Sequence, residues 1–200
     1  MKYFQIIFLL FFSCSLLAET RIDYYVNLGG IKIADANFTI KSDKNNWSLL
    51  TEVEAAGIVD VFVKFISTTE SKGIINDNKL VPELYKFSYL TGRGSSRNGS
   101  ITYKDNIPIR LAADPNYADD EKPSLKFLEK YGSASNDPYS ALLVHGSYTD
   151  PCQFIAQGFD GLRSFKTIFV RPAKEEKIKI GEQEVLTSKC VGYFDPIIGY

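Results

Sequence analysis

The sequence predicts a mainly β protein: a curved antiparallel sheet forming a barrel or half-open barrel, with one short helix around 137–145. Three observations predict this. Apolar and polar residues alternate through most of the chain, with the period of half-buried strands. Turn-forming pairs such as Gly29-Gly30, Asp77-Asn78 and Asp105-Asn106 separate the alternating runs. Aromatic residues reach 14%, and such side chains suit a pleated surface. About ten short strands follow, and consecutive hairpins in that number curl a sheet onto itself.

Ile22, Tyr24, Val26 and Leu28 fall on one face of a first strand. After Gly29-Gly30 the alternation resumes through Ile31 to Ile40, which completes a hairpin. Trp47 to Val53 is a third strand, with Trp47, Leu49, Thr51 and Val53 in phase. Ala55 to Phe65 fits either a strand or a helix, and a short helical turn is expected near Gly57 to Val61. Strand pattern then runs to Ile75, turns at 76–79, and restarts from Pro82 through Leu90.

Gly92 to Gly99 reads as a hairpin tip. Ser100–Tyr103 and Ile107–Leu111 flank the Asp105-Asn106 turn. Residues 113–136 are polar and irregular, with a helical turn available at Ser124–Tyr131. The strongest helix signal is Asp137 to His145: an Asp cap, Pro138 at the first helical position and Gly146 as the stop. Phe159-Asp160-Gly161 forms a turn before a strand over Leu162–Arg171. Lys177–Ile180 and Gln183–Tyr193 make a last hairpin.

Residues 1–18 have the order of a signal peptide: Lys2, an apolar stretch from Tyr3 to Phe12, then Ala18 before a cut at Glu19. The run is shorter than the ~20 apolar residues that span a bilayer. Lipoprotein processing at Cys14 is disfavoured, because Phe11-Phe12-Ser13 departs from the Leu-small-small pattern. Export to the periplasm is therefore expected, with 19–200 as a single β domain. The chain carries 23 basic and 24 acidic residues, so no global attraction to nucleic acid or anionic lipid is expected. No transmembrane span is expected after cleavage.

Cys152 and Cys190 remain in the mature chain. In an exported protein the simplest expectation is a disulfide between them. The rival reading is a metal or redox site. It lacks a Cys-x-x-Cys and has His145 as its one histidine, so no metal site and no cofactor are expected.

Several short islands occur in order: Gly29-Gly30-Ile31, Leu80-Val81-Pro82, Asp137-Pro138-Tyr139-Ser140-Ala141-Leu142-Leu143, Cys152, Phe159-Asp160-Gly161-Leu162-Arg163 and Cys190-Val191-Gly192-Tyr193 leading to Pro196-Ile197-Ile198-Gly199-Tyr200. The set resembles the bacterial domain-of-unknown-function family 3108, exported proteins of Gram-negative bacteria. The resemblance implies an envelope-located β protein and carries no catalytic residues. Relatives continue for one or two strands beyond this Gly-Tyr. Two readings stay open: a shorter protein, or a chain lacking C-terminal strands.

Catalytic candidates are sparse. His145 fits the end of a helix, where a cation suits the dipole. Asp160 fits the turn chemistry of Asp-Gly better than an acid–base role with Arg163. The loop from Gly92 to Gly99 has two cations but lacks the Lys-Ser/Thr ending of a phosphate loop. No Gly-x-Ser-x-Gly or His-Glu-x-x-His occurs, so a non-enzyme is expected.

The expected function is a periplasmic binding or carrier module for an apolar ligand. Tyr24, Phe38, Tyr85, Phe87, Tyr89 and Phe165 are its candidate lining residues. The alternatives are an envelope structural or assembly protein acting through protein contacts, and a hydrolase with a dispersed carboxylate site.

Overall fold

The computed structural model describes residues 18–77, 79–92, 94–118, 122–143, 152–170, 175–180 and 182–199. The expected signal peptide up to residue 17, Cys14, Arg93, His145 and Gly146 lie outside the described residues.

Seven strands follow one another as an antiparallel meander: β1 (Ala18–Leu28), β2 (Ile31–Ser42), β3 (Asn46–Ala55), β4 (Phe65–Asn76), β5 (Lys79–Thr91), β6 (Ser96–Lys104) and β7 (Ile107–Asp114). A short helix, α1 (Ile58–Phe62), joins β3 to β4, where the helical turn was expected. Two of the hairpin turns follow from their residues. Gly29 and Gly30 take φ of 58° and 84°, while Asp105 and Asn106 take 51° and 62°. Two successive positive φ values form the turn whose twist matches paired strands.

Helix α2 (Leu125–Gly132) follows. Ser124 caps it by accepting from Phe127 N at 3.2 Å. Strands β8 (Ile155–Phe159), β9 (Ser164–Val170), β10 (Glu175–Ile180), β11 (Gln183–Ser188) and β12 (Val191–Ile198) complete the chain. They form a three-stranded sheet in the order β12-β9-β8 and a separate β10-β11 hairpin.

Cross-strand partners share a face of the sheet. One such row runs Ile40, Leu49, Ser71, Tyr85, Ile101 and Leu111. Its neighbour runs Phe38, Thr51, Thr69, Phe87 and Gly99. This face is covered, and the alternate residues of β4 point to solvent. Tyr85, Ile101, Tyr103, Leu128 and Phe159 form the buried core, so α2 and β8 close over β5–β7. Trp47 is also buried, and its indole N–H donates to Ile74 O at 3.1 Å.

The mainly β, antiparallel fold class holds; of the closed and half-open forms expected, the closed one is not formed, since β1 and β7 are the edges of the sheet. Three expectations are corrected. The helix at 137–145 is a 3₁₀ turn of three residues, Ser140–Leu142, among the described residues. Asp137 accepts from the Tyr139 and Ser140 amides, as expected of it, yet the longer helix is α2. The β5 strand starts at Lys79, not Pro82, because a bulge at Lys72/Gly73 lets Pro82 sit within the ladder. Finally, Gln183–Tyr193 is not one strand. It breaks near Cys190, and β12 crosses back to pair with β9.

Cys152 and Cys190 are joined by a disulfide, with Cα atoms 5.2 Å apart and a sequence separation of 38. The bond ties the approach to β8 to the start of β12. It therefore fastens the two outer strands of the small sheet.

Candidate functional site

A groove of about 520 Å³ opens between the covered face of the large sheet and the small sheet. That volume lies in the range of small-molecule sites, about 300–1,000 Å³. Strand β5 supplies Tyr85, Phe87 and Tyr89 to one wall. The opposite wall comes from Phe165 of β9 and Leu162 and Arg163 of the turn before it. Tyr139 and Tyr117 border the groove from the connecting segments.

Alternation explains the β5 wall: Tyr85, Phe87 and Tyr89 are two residues apart and so share one face. Two glycines set the position of the rings. A Cβ on Gly99 would lie 2.2 Å from the Phe87 ring, and one on Gly158 would lie 2.3 Å from the Phe165 ring. Each phenylalanine therefore lies flat over its cross-strand glycine partner. These close approaches require the glycines on both walls.

Four of the six candidate residues, Tyr85, Phe87, Tyr89 and Phe165, thus border one groove. The other two stand beside it. Tyr24 packs edge-on against Phe38 at 5.3 Å, and Phe38 packs against Tyr139 at 6.1 Å. Tyr139 links this aromatic row to the groove, although Tyr24 itself is 48% exposed.

Arg97, on β6, reaches the groove and stacks over the Tyr117 ring at 4.4 Å. Asp160 also borders it. Its Oδ1 accepts from Leu162 N at 2.9 Å and Arg163 N at 2.7 Å, which is the turn chemistry its sequence indicated. Gly161 takes φ of 101° at that turn.

Behind the groove lies a buried polar stripe. Ser67, Thr69 and Ser71 of β4 and Thr51 of β3 are all buried, although the surrounding sheet face is apolar. The hydroxyls of Thr51, Thr69 and Ser71 have no hydrogen-bond partner among the described residues. Asp137 is fully buried against this stripe. Its Oδ1 accepts from Tyr139 N at 3.1 Å and Ser140 N at 3.0 Å, and its Oδ2 accepts from the Ser140 hydroxyl. The Ser71 hydroxyl approaches the same carboxylate but falls outside hydrogen-bond geometry. Burial raises the Asp137 pKa, and the bonds from Ser140 and Tyr139 oppose that rise. Burial likewise pushes up the phenols of Tyr85, Tyr103 and Tyr139, so they stay neutral.

A second groove, of about 480 Å³, crosses β1–β4 and has a different character. Asp23, Asp35, Glu52 and Glu54 border it, and it holds Tyr24 but none of the β5 aromatics. Among the described residues, no group of three or more His, Cys, Asp or Glu is placed to hold a metal ion.

Sequence reasoning missed Tyr117 and Tyr139 as groove residues. Tyr117 lies in a polar stretch without periodicity, so nothing signalled its side. Tyr139 was hidden inside a helix signal that resolves into a shorter turn. Arg97 was legible only as one cation of a hairpin loop.

Antiparallel sheets enclosing an open aromatic groove define the class: a β protein built around a small-molecule-sized cleft. The chain belongs to the family described as protein of unknown function (DUF3108), whose model matches residues 21–194. No curated protein and no solved structure matched the chain. No helix among the described residues is long and apolar enough to cross a membrane.

Proposed function

We propose that this chain is a non-enzymatic, periplasmic binding or carrier module that holds an apolar ligand in the groove between its two sheets. The observation that carries the reading is the convergence of Tyr85, Phe87, Tyr89 and Phe165 on one cleft from two different sheets. Aromatic walls with few polar groups are the usual lining of such sites. The export signal read in residues 1–18 supports the compartment.

Titration with the neutral fluorophore N-phenylnaphthylamine tests the binding. Single-site saturation with blue-shifted emission is the expected result, weakened several-fold by Tyr89→Ala. A folded protein that leaves the fluorophore in water overturns the reading. N-terminal sequencing of protein recovered from the bacterial envelope tests export, with Glu19 the expected first residue and Met1 the overturning one.

One observation favours the assembly reading as an alternative. Ile58, Val61, Phe62 and Val63 around α1 are between 53% and 79% exposed. An apolar cluster of this kind suits a protein contact. A photo-crosslinker at position 62 that yields a single discrete adduct in the envelope supports this reading, and a smear of adducts opposes it.

A further inference from the structure

We propose that the occupant of the aromatic groove is an anionic amphiphile: an apolar body between the ring walls, with its acidic headgroup at Arg97. The inference rests on the binding reading above and names the ligand class.

Arg97 is placed on β6 directly across from Tyr89, at the point where the aromatic wall ends. It is half-buried, and its guanidinium carbon lies over the Tyr117 ring, 4.4 Å from the centroid. The N–H donors of a guanidinium lie in its plane, arranged as a fork that matches the two oxygens of a carboxylate or phosphate. A pinned arginine also loses less side-chain freedom on binding than an extended one.

The charge of the cleft points the same way. Arg97 and Arg163 stand on opposite walls, whereas Asp160 is the one carboxylate among the residues described as bordering the groove. Asp160 Oδ1 is already occupied by two backbone N–H groups. Among the described lining residues the cations outnumber the carboxylate, although the whole chain carries a net charge of −1. Phe87 and Phe165 line the groove away from Arg97 and offer nothing to a charged group. A cationic group at one end and phenylalanine walls beyond it together describe a ligand with one acidic end.

The test compares palmitate, cetyl phosphate and cetyl alcohol by displacement of N-phenylnaphthylamine from the full mature chain. Both acids are expected to bind about ten-fold more tightly than the alcohol, consistent with a charge-assisted bidentate contact. Arg97→Gln should remove that advantage and leave the alcohol within about two-fold of its original affinity. Arg163→Gln changes an exposed side chain and should weaken the acids by a smaller factor of about three. It serves as the second variant if Arg97→Gln fails to fold. Preference for palmitate over cetyl phosphate assigns a carboxylate headgroup, and the reverse assigns a phosphate. Equal binding of acids and alcohol overturns the inference while the groove reading stands. Absence of binding by all three, and by the fluorophore, overturns both.

Discussion

The seven-stranded and the three-stranded sheets of this protein are built on opposite plans. In the seven-stranded sheet every strand pairs with its neighbours in sequence, so each contact is closed by a short turn or connection. In the small sheet β12 skips the β10–β11 hairpin and returns to β9. Local pairing needs little loop-closure entropy, whereas the return of β12 must hold a longer excursion in place. The disulfide falls at that weak point. Covalent and non-covalent devices are thus divided between the sheets: turn chemistry sets the first, and a cross-link fastens the second.

The largest expected effect tests that division directly. Replacing Cys152 and Cys190 together by serine should destabilise the protein by about 3–4 kcal/mol, the chain-entropy value for a loop of this length. The loss should be uneven. Hydrogen exchange in β8, β9 and β12 should accelerate far more than in β2–β5. Uniform acceleration across both sheets would show that they unfold as one unit and that the division is wrong.

The matching test in the large sheet is Gly73→Ala, expected to cost about 2–3 kcal/mol. A Cβ there would lie 1.9 Å from the carbonyl oxygen of Val81, so the bulge beside Pro82 has to open. Chemical denaturation of the variant measures the loss. An unchanged midpoint would mean that the β4–β5 pairing adjusts freely.

Legibility followed the same boundary. The hairpins at Gly29-Gly30 and Asp105-Asn106 were readable because the turn residues sit between strands that pair with each other. The β9–β12 pairing was not, since no local signal joins Phe165 to Pro196, which face each other in the register. Only Cys190 marked the break that releases β12 from the last hairpin. Strand β4 was partly legible in another way. Its buried face is Ser67, Thr69 and Ser71, while Ile66 and Ile74 point outward. Hydrophobicity therefore gives no signal for which face of β4 is buried. The candidate site was half legible: spacing by two placed Tyr85, Phe87 and Tyr89 together, but the wall opposite them depends on how the two sheets meet.

Asp137 sharpens the comparison where the two sheets approach. Its raised pKa means that the folded state holds the proton more tightly than the unfolded chain. The stabilising effect of protonation is fully present below the ordinary aspartate value and is lost as pH rises through the folded value. Asp137→Asn keeps an oxygen for the Tyr139 and Ser140 amides and removes the buried charge. Its melting temperature should therefore gain on that of the parent as pH rises from about 4 to 7, by the equivalent of about 1–2 kcal/mol. Asp137→Ala should lose stability at both ends of the range, because the two amides lose their acceptor. Parallel pH profiles for parent and Asp137→Asn would show that the carboxylate is not desolvated.

The smallest effect concerns the glycines beneath the groove rings, one in each sheet. Gly99 sits under Phe87 in the large sheet and Gly158 under Phe165 in the small one. Both Cβ atoms would meet ring carbons rather than backbone first, and a ring can tilt where a backbone cannot. Gly99 has the tighter surroundings, because its Cβ would also lie 2.8 Å from Ala112 O, a backbone atom of β7. The nearest atoms to the Gly158 Cβ all belong to the Phe165 ring. Gly158→Ala should therefore push Phe165 into the groove with a stability loss of about 1 kcal/mol. The same push should weaken N-phenylnaphthylamine binding about three-fold, through lost groove volume. Gly99→Ala should reverse the balance, with the greater loss in stability and the lesser in affinity, because β6 and β7 must part before the ring moves. Fluorophore titration and thermal denaturation of the two variants read both quantities. Equal changes in the pair would mean that the sheets yield alike, and that the difference in their construction does not reach the walls of the groove.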